Sequence, residues 1–186
     1  MPTDPMTIAL TSGGLALTAA LLGQLVAGCI TNGNNKKTEM RAFEQKRKAM
    51  TLQIYAEIHA ALVIVRERKY LEGLDGMIRY IEQNPDKPAH FEVHVADESF
   101  PIFKANVSSL GLMPCSLVTQ VVTFYTLIQS LVQDVKPGGM LAMGAPKHTF
   151  EEALHLGRQM VAVGELIVRE VEELYPEVKK HLPVAP

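Results

Sequence analysis

Three alternating residues in the stretch AHFEVHVADE, residues 89–98, carry side chains that could bind a metal ion: His90, Glu92 and His94. In an extended chain, residues two apart share a face, so these three would point to the same side. Two histidines and one carboxylate are a ligand set for zinc or iron. No nearby residue is placed to orient such ligands, and a solvated strand face explains the same alternation. We therefore predict an extended segment and no metal site.

Cysteine and histidine chemistry is sparse elsewhere. Cys115 follows Pro114 at a predicted helix start, where a thiol can act as a nucleophile, but a packed core cysteine is the favoured interpretation. A helical bundle could bring His59 and His155 together, although the spacing alone does not require it. The chain contains no phosphate-binding loop, nucleophile elbow or zinc-protease motif. We predict no catalytic residue and no cofactor, and an enzyme is the less favoured class.

Cys29 raises a different question, because VAGC at residues 26–29 resembles a bacterial lipobox. A lipoprotein signal needs a basic start and a hydrophobic region of roughly 7–15 residues. Here the uncharged stretch runs over residues 6–31, and the residues before it include Asp4 and no basic side chain. About 20 apolar residues suffice for a transmembrane helix. An uncleaved membrane anchor is therefore the favoured interpretation, and a periplasmic lipoprotein is the alternative.

The basic side chains that follow this stretch predict its orientation. Residues 36–48 hold six basic side chains against two acidic ones, and we call those six the basic collar. Positive charge marks the cytoplasmic side of a membrane helix, and it also attracts anionic lipid headgroups. We expect a single-pass protein of the bacterial inner membrane with its C-terminal domain in the cytoplasm. The basic collar consists of Lys36, Lys37, Arg41, Lys46, Arg47 and Lys48.

The composition of the remaining chain is that of one ordinary globular domain. The protein has 186 residues, 47% of them hydrophobic, and a net charge of −2. Enough apolar surface is present to offset the entropy cost of ordering, which disfavours disorder. A general nucleic-acid binder would carry a basic field, so we predict no nucleic-acid partner.

The apolar pattern after the anchor is helical. Apolar residues from Met40 and Phe43 through Ile54 and Ile58 recur at steps of three and four, which predicts a long helix over about 36–83. The stripe changes phase near EGLDG, residues 72–76, where we expect a bend. Ser99 is predicted to cap a short helix that ends at Gly111.

Residues 112–133 belong to a second long uncharged stretch, between Lys104 and Asp134, which has two interpretations. Length and composition allow a second membrane span, but Gln120, Thr123, Ser130 and Gln133 form a polar stripe at helical spacing. Polar groups are costly in lipid without partners, which favours a central bundle helix.

The last helix is predicted to start at a capping box, with Thr149 as the cap and Glu152 three residues on. Gly157 and Gly164 lie two turns apart on its apolar face, where they would let a neighbouring helix approach closely. The residues before it, 137–147, are predicted to be a flexible connection.

An F-x-x-N-x-x-x-L-G segment followed by V-V-x-F-Y resembles short bacterial membrane-anchored proteins of uncharacterised function. The resemblance covers residues 7–135, and it implies an inner-membrane address but no activity. The matching residues are Phe103, Asn106, Leu110, Gly111, Val121, Val122, Phe124 and Tyr125.

Taken together, these patterns predict an all-α protein: an N-terminal transmembrane helix followed by an antiparallel cytoplasmic helical bundle. We expect a membrane-tethered interaction or regulatory module that contacts lipid and either a protein partner or a second copy of itself. A membrane-associated enzyme or a ligand binder that uses a bundle pocket is a further alternative. The predicted boundaries are a tail (1–5), the transmembrane helix (6–31), a basic juxtamembrane segment (32–48), the bundle domain (49–176) and a C-terminal tail (177–186).

Overall fold

The regular secondary structure of this chain is helical, as the sequence predicts. The computed structural model describes the backbone of residues 5–95 and 99–180, and the side chains of residues 36–95 and 99–178. The chain divides into two compact units, Met1–Lys46 and Arg47–Pro186. Short 3₁₀ segments cover Val107–Leu112 and Pro176–Lys180. The helices are α1 (Pro5–Glu67), α2 (Tyr70–Gln83), α3 (Pro101–Asn106), α4 (Cys115–Val135), α5 (Met140–Met143) and α6 (Lys147–Leu174).

The predicted transmembrane segment, residues 6–31, is part of α1. The structure describes only its backbone, so its side chains, including Cys29, lie outside the described residues. Residues 1–4 and 181–186 of the predicted tails also lie outside them. Among the described residues, two stretches are long and apolar enough to cross a membrane, Lys36–Glu67 and Cys115–Met143. Core helices of soluble domains meet the same criterion.

The predicted long helix is broken, but not at the predicted place. α1 ends at Glu67 and α2 begins at Tyr70, because Lys69 adopts the left-handed conformation with φ 51°. The stretch 72–76, where we expected the bend, lies inside α2. A Cβ atom added at Gly73 would lie 2.8 Å from Cε2 of Phe91, so this glycine permits close packing.

The apolar stripe of α1 is buried only in its later part. Met50, Ile54 and Ile58 are in the core, as predicted. Met40 is 65% exposed and Phe43 is 49% exposed, so their predicted burial is wrong. Both precede Arg47, the first residue of the second compact unit, which contains the core.

α4 and α6 contact each other along their length and run in opposite directions. Ser116, at the start of α4, donates a hydrogen bond to Glu170 near the end of α6, at 2.5 Å. A Cβ atom at Gly164 would lie 2.8 Å from Phe124 of α4 and 2.9 Å from Leu62 of α1. The prediction that Gly164 and Gly157 allow close helix approach is confirmed; at Gly157 the added Cβ atom would lie 2.5 Å from Leu71.

The start of α6 differs from the predicted capping box. α6 begins at Lys147, after Pro146 in the N-cap position, with no side-chain cap hydrogen bond. Thr149 is buried inside the first turn, and its backbone N–H donates to the carbonyl of Pro146. The cap prediction is wrong because the helix already begins at Lys147, so Thr149 lies within the first turn and not before it. The residues before it include the short helix α5, which the sequence did not predict.

A long connection, residues 84–114, leads from α2 to α4. Its stretch 89–95, which was predicted to be extended, has no regular secondary structure and is held by backbone hydrogen bonds to α4 and α5. The N–H of Phe91 donates to Leu141 at 2.9 Å, and the N–H of Val93 donates to Val135 at 2.8 Å. Within this connection, Ile102 and Phe103 of α3 are partly buried and pack against the core.

Candidate functional site

The carboxylate of Glu57 caps a helix that is distant in sequence. Its Oε1 accepts a hydrogen bond from the N–H of Ile102 at 2.9 Å, and its Oε2 accepts one from the N–H of Phe103 at 3.0 Å. These N–H groups are in the first turn of α3, where no intrahelical acceptor exists. Ser99 was predicted as the cap, but Phe100 occupies the N-cap position and Glu57 of α1 supplies the acceptor.

Tyr125 of α4 donates a third hydrogen bond to the same carboxylate. Its hydroxyl lies 2.6 Å from Oε2 of Glu57, and the side chain is 1% exposed. Burial, followed by the hydrogen bond to the Glu57 carboxylate and its charge, raises the pKa of Tyr125 far above its usual value of 10. Glu57 therefore joins α1, α3 and α4 through one half-buried side chain.

Aromatic rings surround this carboxylate. The ring of Phe103 stacks on Tyr125 with centroids 3.8 Å apart, and Phe100 meets Tyr125 edge-on at 5.4 Å. Phe100 is in the left-handed conformation, with φ 61°, which is unfavourable for a bulky residue. Its ring contact and the adjacent capped turn hold it there. We call Glu57, Phe100, Phe103 and Tyr125 the Glu57 cluster.

The Glu57 cluster contains two residues of the F-x-x-N-x-x-x-L-G and V-V-x-F-Y motif. Phe103 and Tyr125, which belong to its two halves, stack on each other, and the amide of Asn106 donates to the carbonyl of Ile102 at 2.8 Å. The motif thus brings α3 against α4. Of its other residues, Leu110, Val121 and Phe124 are buried, whereas Gly111 and Val122 are exposed.

An apolar cavity of about 470 Å³ lies next to the Glu57 cluster. α1, α2, α4, α6 and the irregular stretch 89–95 line it, and Phe100 belongs to both the cavity wall and the cluster. Small-molecule sites are commonly apolar spaces of about 300–1,000 Å³. The alternative of a ligand binder with a bundle pocket named no lining residues, because the walls of this cavity come from segments that are distant in sequence.

The histidines proposed as a pair are not brought together. His59 stacks on Tyr55 and lines a smaller polar cleft of about 280 Å³ with Glu165. His155 forms a hydrogen bond with Gln159 of its own helix, with 3.0 Å between the two Nε2 atoms. The polar cleft is held by a surface ion pair between Arg66 and Glu165, at 2.6 Å. Such pairs contribute little to stability and carry no chemistry by themselves.

The other reactive candidates are separate surface groups. His94 lies 3.4 Å from Glu92, while the Nδ1 atom of His90 lies 3.2 Å from the carbonyl oxygen of Ala142. Among the described residues, no three histidine, cysteine or acidic side chains are grouped to hold a metal ion. Cys115 is exposed, so the prediction of a packed core cysteine is wrong. Its position at the first residue of α4 places it at the domain surface.

The basic collar divides between the two compact units. Lys36, Lys37, Arg41 and Lys46 are exposed on the helix before Arg47. Arg47 is half-buried, and Lys48 forms an ion pair with Glu177 at 2.5 Å. That ion pair lowers the pKa of Glu177. The first four side chains are therefore available to an external surface, whereas Lys48 is engaged by the helical domain.

Comparisons with known proteins add no relative. No family model matches the chain, and searches of curated proteins and of solved structures returned no significant match.

Proposed function

We propose that this protein is a membrane-tethered helical module that works by binding rather than by catalysis. In this proposal residues 6–31 cross the membrane once, and an antiparallel helical bundle lies in the cytoplasm. The observation that carries the proposal is the exposed helical face directly after the uncharged segment. There Lys36, Lys37 and Arg41 alternate with the exposed side chains of Met40 and Phe43. Basic and apolar groups on one helix suit the headgroup layer of an anionic membrane.

The orientation follows from the charge pattern. Basic residues flank the uncharged segment only on its C-terminal side, which favours a cytoplasmic domain. The resemblance to short bacterial membrane-anchored proteins supports the same address. A protein partner or a second copy of the chain is the proposed target, together with membrane lipid.

α4 is proposed to be a bundle helix rather than a second membrane span. Its apolar face, including Val121, Phe124 and Ile128, is buried against other parts of the domain. Its exposed face carries polar groups such as Ser130 and Gln133, and a glutamine amide is costly in lipid without partners. A helix with one buried apolar face and one exposed polar face is stabilised by packing against the core of its own domain.

A topology reporter fused after the last residue tests the proposal. A reporter that works only in the cytoplasm should be active, and one that needs export should be silent. Replacing Lys36, Lys37 and Arg41 with Gln should weaken this bias, because it removes the cytoplasmic charge. The matched control replaces Lys87, Lys104 and Lys136, three exposed lysines in the helical domain, and should leave the topology unchanged. An exported C-terminus in the unmutated chain would overturn the orientation.

The lipoprotein alternative has its own test at Cys29. The proposal expects a full-length N-terminus by mass spectrometry and no incorporation of labelled fatty acid. A mature chain that starts at a lipidated Cys29, and that is lost in Cys29→Ala, would place the domain in the periplasm instead.

A further inference from the structure

The apolar cavity beside the Glu57 cluster is half-open to the surface of the helical domain. Its volume is about 470 Å³, roughly three times the ~150 Å³ apolar cavity that accommodates one benzene molecule. A concave apolar space of this size is typical of a ligand site.

The lining of the cavity defines the chemistry of its occupant. The walls are mainly aliphatic, with Ala61 and Val65 from α1, Leu71 from α2, and Ile128 and Val132 from α4. Water gains little in such a space because it finds few hydrogen-bond partners there. Branched aliphatic walls contact a flexible hydrocarbon chain through many weak dispersion contacts, without fixing a particular ring shape.

Among the described lining residues, the arginine and the histidine lie at the mouth. Arg68, Ile64 and His94 line the cavity and are exposed, so they mark its opening. The guanidinium of Arg68 carries a permanent positive charge and several N–H donors, which suit a carboxylate or a phosphate. The deeper lining side chains from α1, α2 and α4 carry no charge.

We infer that this cavity binds a single-chain amphiphile, with the hydrocarbon chain between α1, α2 and α4 and an anionic head group at Arg68. This inference concerns a ligand of the helical domain and does not use the membrane anchor. A free fatty acid and the acyl chain of a membrane lipid share this chemistry, so the experiment must separate them.

The test uses the full-length chain in lipid nanodiscs and peptide mass spectrometry, with a photoreactive free fatty acid in one arm and a phospholipid that carries the same photoreactive chain in the other. Labelling of the cavity in the first arm assigns a free acid as the ligand, and labelling in the second assigns a membrane lipid. Labelling should fall on peptides that contain residues 61–71 and 128–135, and added dodecanoate should compete with it. Each further methylene of the competing acid should lower its half-maximal concentration about fourfold until the cavity is full, equivalent to ~0.8 kcal/mol per methylene.

Two adjacent substitutions in α1 provide a matched pair. Ala61→Phe places a ring in the cavity and should lower saturable labelling about tenfold, because the chain then overlaps the new side chain. Ala60→Phe adds the same ring at an exposed neighbour outside the cavity and should leave labelling unchanged. Val132→Phe, with the exposed Gln133→Phe as its control, gives a second comparison if Ala61→Phe is poorly folded.

The head-group contact is tested by removing one charge at a time. Arg68→Gln should weaken competition by dodecanoate about fivefold, with little change for dodecanol, because only the acid carries the charge. Lys104→Gln removes an exposed charge elsewhere and should change neither. Labelling confined to the outer face of α4, at Val122 or Thr126, and insensitive to Ala61→Phe would show contact with bilayer lipid and overturn the inference. The absence of saturable labelling would also overturn it.

Discussion

Two tyrosine–glutamate contacts join the helices of this domain, and they differ in the length of the tyrosine hydrogen bond. At Glu57, the hydroxyl of Tyr125 lies 2.6 Å away and two backbone N–H groups donate to the same side chain. At Glu172, the hydroxyl of Tyr55 lies 3.4 Å away, at the edge of the polar cleft. Hydrogen bonds weaken as they lengthen beyond about 3 Å.

The two glutamate contacts differ in what they hold in place. Glu57 satisfies the first turn of α3, which has no cap of its own, and it thereby fixes Phe100 in the wall of the apolar cavity. The Tyr55–Glu172 contact links α1 to α6, which Gly164 and Leu62 already hold together through apolar packing. We therefore expect the Glu57 cluster to control both local order and the shape of the cavity.

The largest expected effect comes from removing the two carboxylates. Glu57→Ala leaves two N–H groups and a buried hydroxyl without an acceptor, and we expect it to lower the free energy of unfolding by about 4 kcal/mol. Glu172→Ala should cost less, because the hydrogen bond from Tyr55 that it removes is longer than the one from Tyr125 to Glu57. Urea unfolding of the full-length chain, followed by circular dichroism, measures both. Equal losses would contradict the distinction between the two sites.

The next effect comes from the two hydroxyl groups. Tyr125→Phe should lower the free energy of unfolding by about 2 kcal/mol, since it removes a short hydrogen bond to a charged group and keeps the ring stacking. Tyr55→Phe should cost about 0.5 kcal/mol, because its bond is long. The same urea titration compares the pair, and a larger loss in Tyr55→Phe would reverse our assignment.

A smaller effect is expected in the alkaline stability profile. Burial raises the pKa of Tyr55 from 10 to about 12, and it raises the pKa of Tyr125 further. A raised pKa means that the folded state holds the proton more tightly, so this stabilisation is complete below pH 10. Above pH 10 the unfolded tyrosines ionise first and stability falls, for Tyr55 until about pH 12. Each phenylalanine variant removes one such group, so between pH 10 and about pH 12 the urea midpoints of both variants should fall less steeply than those of the unmutated chain.

Much of the helical core follows from local patterns in the sequence. The stripe through Phe124 and Ile128 predicted the buried face of α4, and Gly164 indicated a close helix contact that the structure contains. Period and residue size are sufficient for such features because one helix face acts as a unit. The end of α2 beside Asn84 and Pro85 follows in the same way from helix stop signals.

The Glu57 cluster could not be predicted because its partners are remote in the chain. Glu57 lies 45 residues from Ile102 and 68 residues from Tyr125, and neither separation leaves a periodic signal. A local cap at Ser99 was the expected solution, yet the chain uses a carboxylate from α1. The one available hint was a short helix that begins with Pro101 and needs acceptors for its next N–H groups. The residues that line the cavity could not be named for the same reason.

Amide hydrogen exchange at Ile102 and Phe103 tests most directly whether Glu57 holds α3 in place. The full-length chain is compared with Glu57→Gln and with Glu172→Gln, which makes the same change at the second contact. We expect Glu57→Gln to accelerate exchange at these two amides at least about tenfold, through weaker capping of the first turn. Glu172→Gln should leave them protected. Unchanged protection of both amides in Glu57→Gln would contradict the central role of this carboxylate.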